Sequence, residues 1–218
     1  MSPVPPRWPS RSRSPRASWP ATGLVTAFGH VSARVGDLVV ITPPTAPGDV
    51  TADTLVTVGV AADELPADAA PETWAHLAVY RARPDVAAVA RAQPEAAFAA
   101  AAVARELAPL HGQAAWLGRR VPVHELARLL RDPDRAAAAA RTLGDEDAVL
   151  LRGNGALTVG DTPGAAVARM WLLDAACRVH LAAAGHQARA LDDEDVAAWR
   201  QAAPPLLDRL WRHLAGSS

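Results

Sequence analysis

The sequence predicts an α/β protein: a three-layer α/β/α architecture around a central mixed sheet. Three observations lead there. Short apolar runs rich in branched residues alternate with longer segments opened by proline, the order expected when helices cover both faces of a sheet. Val86–Ala90 is apolar without a break, as in a strand buried on both sides. Gly36-Asp37 separates two β-type runs, which places a hairpin early in the chain and makes the sheet mixed.

Residues 1–20 come first and read as a disordered arm, with 21–218 as a single domain. Arg7, Arg11, Arg13 and Arg16 alternate there with Ser and Pro, and no acid precedes Asp37. Such a stretch has too little apolar surface to offset the entropy of ordering. Val31–Val35 and Leu38–Thr42 form the hairpin, and Pro43-Pro44 stops it. Thr54–Val60 is a further strand. Pro71 opens a helix to about Arg83, with Glu72 in its first turn, where the helix dipole favours an acid. Pro84-Asp85 ends it before the strand Val86–Ala90. Pro94 opens the next helix, to about Leu107. A strand is expected at Ala114–Leu117, then helices at Val123–Leu130 and Arg135–Leu143. Ala148–Arg152 and Leu157–Val159 are strands joined by the tight turn Gly153-Asn154-Gly155. Pro163–Ala184 is a long helix ended by Gly185. Asp192 to Leu214 is a last helical region, interrupted at Pro204-Pro205.

Composition removes several chemistries. The 218-residue chain is near charge balance, at −1, which gives no electrostatic case for nucleic acid or an anionic membrane. Every one of its 22 Lys+Arg residues is arginine. A lysine Schiff base and a Walker-type phosphate loop are therefore both excluded. Cys177 is the single cysteine, so no internal disulfide forms, in keeping with a cytoplasmic location. No apolar run reaches the length of about 18 residues that a membrane span needs. There is no Gly-x-Ser-x-Gly elbow, and Gly153-Asn154-Gly155 lacks the third glycine of a dinucleotide fingerprint.

Several segments, in order, resemble the class II aldolase/adducin family. Gly29-His30-Val31-Ser32-Ala33-Arg34 is similar to its substrate loop, Gly-Asn-x-Ser-x-Arg, in the variant with His second. Val40-Ile41-Thr42-Pro43 resembles the strand that follows. Glu72-Thr73-Trp74-Ala75-His76, running on to Val86, resembles the acid-bearing helix and the next strand. Leu150 to Leu157 resembles the late Leu-x-x-His-Gly turn. The resemblance covers roughly residues 23–185. It implies a fold of this family, a homo-oligomer of tetramer type, and Glu72 as the catalytic acid/base.

The departures fall on the metal site. The family binds a divalent metal, usually zinc, through His-x-His at a strand end and a third His in the late turn. The corresponding residues here are Arg91, Gln93 and Asn154. Arginine has no lone pair to offer and keeps its charge, and amide carbonyls are poor zinc ligands. The resemblance therefore comes without a metal or other cofactor. Relatives that cleave sugar phosphates also carry serines before the acid and a late tyrosine. Here Ala70-Pro71 precede Glu72, and Tyr80 is the single tyrosine.

The expected site thus has Glu72, Arg91 and His76 as catalytic groups. Gly29, His30, Ser32, Thr42, Gln93 and Asn154 would bind substrate. Arg91 puts a fixed positive charge where relatives hold a metal, suited to an enolate or carboxylate; the plainer role is an ion pair with Glu72. Three functions follow as expectations. The first is a metal-independent lyase, decarboxylase or isomerase acting on a small oxo- or hydroxy-acid, with a carboxylate or sugar acid as ligand. The second is a non-catalytic oligomeric binding or scaffold protein. The third is a metal-dependent aldolase with a rebuilt site.

Overall fold

The computed structural model describes Leu24, residues 28–46 and residues 49–216. The arm expected at 1–20 lies outside the described residues. Eight strands form one mixed sheet: β1 His30–Val35, β2 Leu38–Ile41, β3 Val56–Gly59, β4 Ala88–Ala92, β5 Glu106–Leu107, β6 Val121–His124, β7 Ala148–Leu151 and β8 Gly155–Gly160. Their order is β3-β2-β1-β4-β8-β7-β6-β5. All neighbours are antiparallel except β6 and β7. Among the described residues six helices accompany them: α1 Thr73–Ala82, α2 Glu95–Val103, α3 Pro133–Leu143, α4 Pro163–Ala183, α5 Asp193–Gln201 and α6 Ala203–Leu214.

Period-2 alternation sorts the side chains into two cores. Ala88, Ala90 and Ala92 of β4 turn toward α2, α4 and α6, whose Ala97, Met170, Leu173 and Leu207 close one layer. Val89 of β4, with Val149, Leu151, Leu157 and Val159, turns to the other side. There α1 and α3 cover it through Leu77, Val79, Ala139 and Leu143. The three layers are thus α1/α3, sheet, and α2/α4/α6. The small residues of β4 let α4 pass close to the sheet: Thr158 Oγ1 donates to the Ala166 carbonyl across that gap at 2.8 Å.

Several expected elements need correction. Ala114–Leu117 is not a strand but part of a 3-10 helix, Gly112–Leu117, stopped by Gly118 at φ 130°. Val123–Leu130 is not a helix. Val121–His124 is strand β6, and its Val123 and His124 pair with β7. Its branched residues suit a pleated, buried surface. The helix from Pro94 ends at Val103, because Glu106-Leu107 pairs with β6 as an edge strand. The strand at Thr54–Val60 shortens to Val56–Gly59 behind a 3-10 turn. The interruption expected at Pro204-Pro205 is present two residues earlier: the last helical region divides at Ala202 into α5 and α6, and both prolines lie in the first turn of α6, where a missing N–H costs nothing. The rings of Trp199 and Trp211 both make contacts within the chain. The Trp199 ring lies over Gly112, and the Trp211 ring lies against Gly164.

Candidate functional site

The site forms where β1, β4 and the β7–β8 turn meet the N-terminus of α1. His30 and Arg91 are cross-strand partners in the β1–β4 ladder. Arg91 follows Val89 by two residues and so shares its α1/α3 face. Asn154 is brought beside them by the turn between β7 and β8. Gly153 and Gly155 have φ of 66° and 81°, which only glycine adopts readily. A Cβ at Gly155 would stand 2.1 Å from the Ala92 carbonyl oxygen, so β4 and the turn touch through bare backbone.

Arg91 is a buried cation, 2 % exposed. Its Nη2 donates to Asn154 Oδ1 at 2.6 Å, while its Nε has no hydrogen-bond partner among the described residues. No carboxylate of the described residues forms an ion pair with it; Glu72 pairs instead with Arg131, at 2.8 Å. The expected Arg91–Glu72 bridge is therefore replaced by Arg131–Glu72. Burial lowers the Arg91 pKa, the Glu72 charge works against this, and the Arg131 charge reinforces it. Gln93, half-buried, reaches the same Asn154 oxygen at 3.4 Å.

Glu72 occupies the N-cap position of α1, yet its side chain caps no helix N–H. The carboxylate turns aside to accept from Arg131 Nε. Burial pushes its pKa up, but the Arg131 hydrogen bond and the Arg131 and Arg91 charges outweigh that and hold it below the usual value. It is a carboxylate in the resting site. His30 is buried with Nδ1 unpartnered among the described residues. Burial and the Arg91 charge lower its pKa to about 4, against a smaller opposing effect of Glu72, so its imidazole is neutral.

His76 and Ser32 lie deeper. Ser32 Oγ contacts His76 Nδ1 at 2.7 Å and Tyr80 Oη at 2.8 Å, with all three residues essentially inaccessible. The His76 ring stands edge-on to His30, with centroids 6.4 Å apart. Burial, then electrostatic coupling to the His30 imidazole and the Arg91 charge, drive its pKa well down, and burial raises that of Tyr80. Ser32 and His76 thus support the site from beneath. Thr42 Oγ1 accepts from the Val31 N–H at 3.2 Å and fixes the hairpin behind the site. Gly29, at φ 152°, leads the chain into β1.

Arg91, Gln93 and Asn154, the residues that the resemblance sets at the metal positions, do not fit a metal. One is a cation, and the Asn154 oxygen already accepts from Arg91 and Gln93. Among the described residues, no group of three His, Cys, Asp or Glu side chains converges on a metal-sized space. What the arrangement offers is an anion seat at Arg91 beside a carboxylate base. The sequence reading leaves Arg131 in the short link between two expected helices, Val123–Leu130 and Arg135–Leu143, and gives it no role. The signal was present: Asp132 N-caps α3 and Pro133 sits in its first turn, so a loop must precede them.

Comparison with known proteins agrees with this fold. The family model of the Class II Aldolase and Adducin N-terminal domain matches residues 17–181. The chain is 32% identical over 146 residues to a 3,4-dihydroxyphthalate decarboxylase of Terrabacter sp. strain DBF63, covering 63% of this chain and 61% of that protein. It is 35% identical over 109 residues to the decarboxylase NovR of Streptomyces niveus, covering 50% and 40%. The chain thus spans about half the length of these curated relatives. The crystal structure of L-fuculose-1-phosphate aldolase from Thermus thermophilus superposes with a TM-score of 0.66 at 27% identity, over 77% of this chain and 95% of that one. No helix among the described residues is long and apolar enough to cross a membrane. With three quarters of its length matched and the same layered sheet, the chain belongs to the class II aldolase and adducin N-terminal domain family.

Proposed function

We propose that this chain is a metal-independent lyase that decarboxylates a small oxo- or hydroxy-acid. The observation that carries the reading is Arg91: a buried guanidinium with an unpartnered Nε and, among the described residues, no carboxylate paired to it. Burying a charge without a counter-charge is expensive, so a site that holds one is organised for an anion that arrives later. Loss of carbon dioxide from a β-oxo or hydroxyaryl acid leaves negative charge on an enolate or phenolate oxygen. Arg91 would hold that oxygen, Glu72 would carry the proton, and neutral His30 would line the anion seat. Gln93 and Asn154 would orient the substrate, and no cofactor is invoked. Two relatives named as decarboxylases support the reaction class.

The test is carbon dioxide release from a panel of β-oxo acids and hydroxybenzoates, with and without a chelator. Turnover of at least one acid above its uncatalysed rate, indifferent to chelation and lost in Arg91→Met, is the expected result. Turnover that depends on added zinc would overturn the metal-independent reading. Binding without any release would establish the non-catalytic binding protein instead. A homo-oligomer is part of the same proposal. Phe28, next to the Gly29 loop, is 67 % exposed, and Leu126 and Leu129 of the loop before α3 are also exposed, as in a surface covered by another copy.

A further inference from the structure

The loop between β6 and α3 is fastened to the site at two points. Its Arg128 carbonyl accepts from Asn154 Nδ2 at 3.5 Å, and Arg131 Nε donates to Glu72 Oε1 at 2.8 Å. Arg131 itself is set firmly in the chain. Leu130 before it is buried in the α1/α3 core, and Asp132 after it caps α3 through the Arg135 N–H at 2.9 Å. From this fixed base a half-exposed side chain reaches a carboxylate that is nearly buried. Glu72 has helix N–H groups close by and caps none of them. The guanidinium therefore decides where that carboxylate points.

We propose that Arg131 is a positioning residue that holds the Glu72 carboxylate aimed into the site, so that Glu72 begins the reaction as a proton acceptor. The proposal rests on the decarboxylase reading for its chemistry and narrows the substrate class. A carboxylate stabilised by two guanidiniums is a weak base. It takes a proton only from an acidic hydroxyl whose anion is itself stabilised, here by Arg91. The substrate is then a carboxylic acid bearing an enolic or phenolic hydroxyl. Arg91, Arg131 and Glu72 together carry one net positive charge, which one substrate carboxylate balances.

The steps balance without an outside reagent. Glu72 accepts the hydroxyl proton, leaving the oxyanion on Arg91. The resulting Glu72 acid returns the proton to the carbon that bears the carboxylate, and the oxyanion collapses to a carbonyl. The C–C bond to the carboxylate then breaks. Carbon dioxide leaves, and the electron pair of that bond returns through the carbon frame to the oxygen as an enolate or phenolate. Glu72 is ionised again.

Carbon-13 NMR titration of the Glu72 carboxyl in the full chain, with its signal assigned from Glu72→Gln, tests the proposal without requiring turnover. Arg131→Gln and Arg131→Lys are compared with the unaltered protein. An opposite charge at bonding distance lowers a carboxyl by roughly 1–3 units. In Arg131→Gln the Glu72 titration is expected to move upward by that order, with most of the change reversed in Arg131→Lys. The acid limb of kcat/KM for the acid found by the release assay should move in parallel. A Glu72 titration unchanged in Arg131→Gln overturns the proposal, as does a Lys variant that behaves like the Gln variant. A shifted titration with no substrate turned over supports the control of Glu72 by Arg131 while removing the decarboxylase reading. Should Arg131→Gln fail to fold, the unaltered protein is titrated at rising salt, which screens a half-exposed charge far more than a buried one. A Glu72 titration that climbs toward the usual carboxylate value then supports the proposal, and one that salt leaves in place overturns it.

Discussion

Replacing Arg91 by methionine separates a waiting anion seat from a structural ion pair. Methionine matches much of the arginine stem and fills the same buried volume with apolar atoms. Replacing buried ionic groups by apolar residues of similar volume is often neutral or stabilising by about 1–4 kcal/mol. Against this stands the charged hydrogen bond from Nη2 to Asn154 Oδ1, a type that contributes about 1.5–3 kcal/mol. The two effects have similar midpoints, so stability should stay within about 1 kcal/mol of the unaltered protein. In a chain of this size that is a change in Tm of roughly 2–4 °C in either direction. Asn154 keeps a donor in Gln93, which limits the penalty on its oxygen. The assay is a thermal melt, with and without benzoate as a simple carboxylate probe. Benzoate should raise the Tm of the unaltered protein and leave that of Arg91→Met where it was. If Arg91 were already satisfied by a buried partner, breaking that pair would cost about 3–5 kcal/mol, a fall of roughly 6–20 °C. A fall of that size, with benzoate still stabilising the variant, would refute the reasoning.

Other outcomes follow from the same geometry. His30 titrates near 4 in the folded chain against about 6.5 when unfolded, so the unfolded chain binds the proton first. Its stabilising contribution is complete above about pH 6.5 and falls away toward pH 4, a loss on the order of 3 kcal/mol. Melts across that window should be flatter for His30→Gln, and equal slopes would dismiss His30 as the source. Placing histidine at positions 91, 93 and 154 together should create zinc binding of about one ion per chain, measured by calorimetry on folded protein. Zinc–nitrogen bonds need about 2.0–2.1 Å, so the absence of binding would show that the strand end no longer has the family's geometry. Light scattering at micromolar concentration should give an oligomer, with Phe28→Ser shifting it toward monomer; a strict monomer would remove the proposed interface.

The sequence carried the fold through its punctuation. Pro43, Pro84 and Pro163, together with Gly36-Asp37 and the Gly153–Gly155 turn, mark element ends that the structure keeps. Between residues 104 and 130 the punctuation failed. Val121–His124 carries a proline and only four residues, too few for period 2 to declare itself against a helical pattern. That error hid the length of the loop that leads to Arg131. Family resemblance named Glu72, Arg91 and Asn154 one by one as candidates, but not Arg131 and not how these residues group. Pairing is a matter of three-dimensional distance, and nothing in the spacing of Glu72, Arg91 and Arg131 says which arginine the carboxylate meets. The burial of Ser32 and His76 was equally hidden, because a polar residue in a strand or helix does not announce that it will find a partner across the layer.

The bare contact at Gly155 has a consequence for how such a protein changes over generations. The residue that aligns β4 with the late turn has no side chain, and what it touches is main-chain carbonyl. The address of positions 91, 93 and 154 is therefore written in backbone, and their identities are written separately. Side chains at these three positions can be exchanged by point substitution alone, with no insertion and no new loop. A lineage can discard one reagent and adopt another while the frame that presents it is inherited intact.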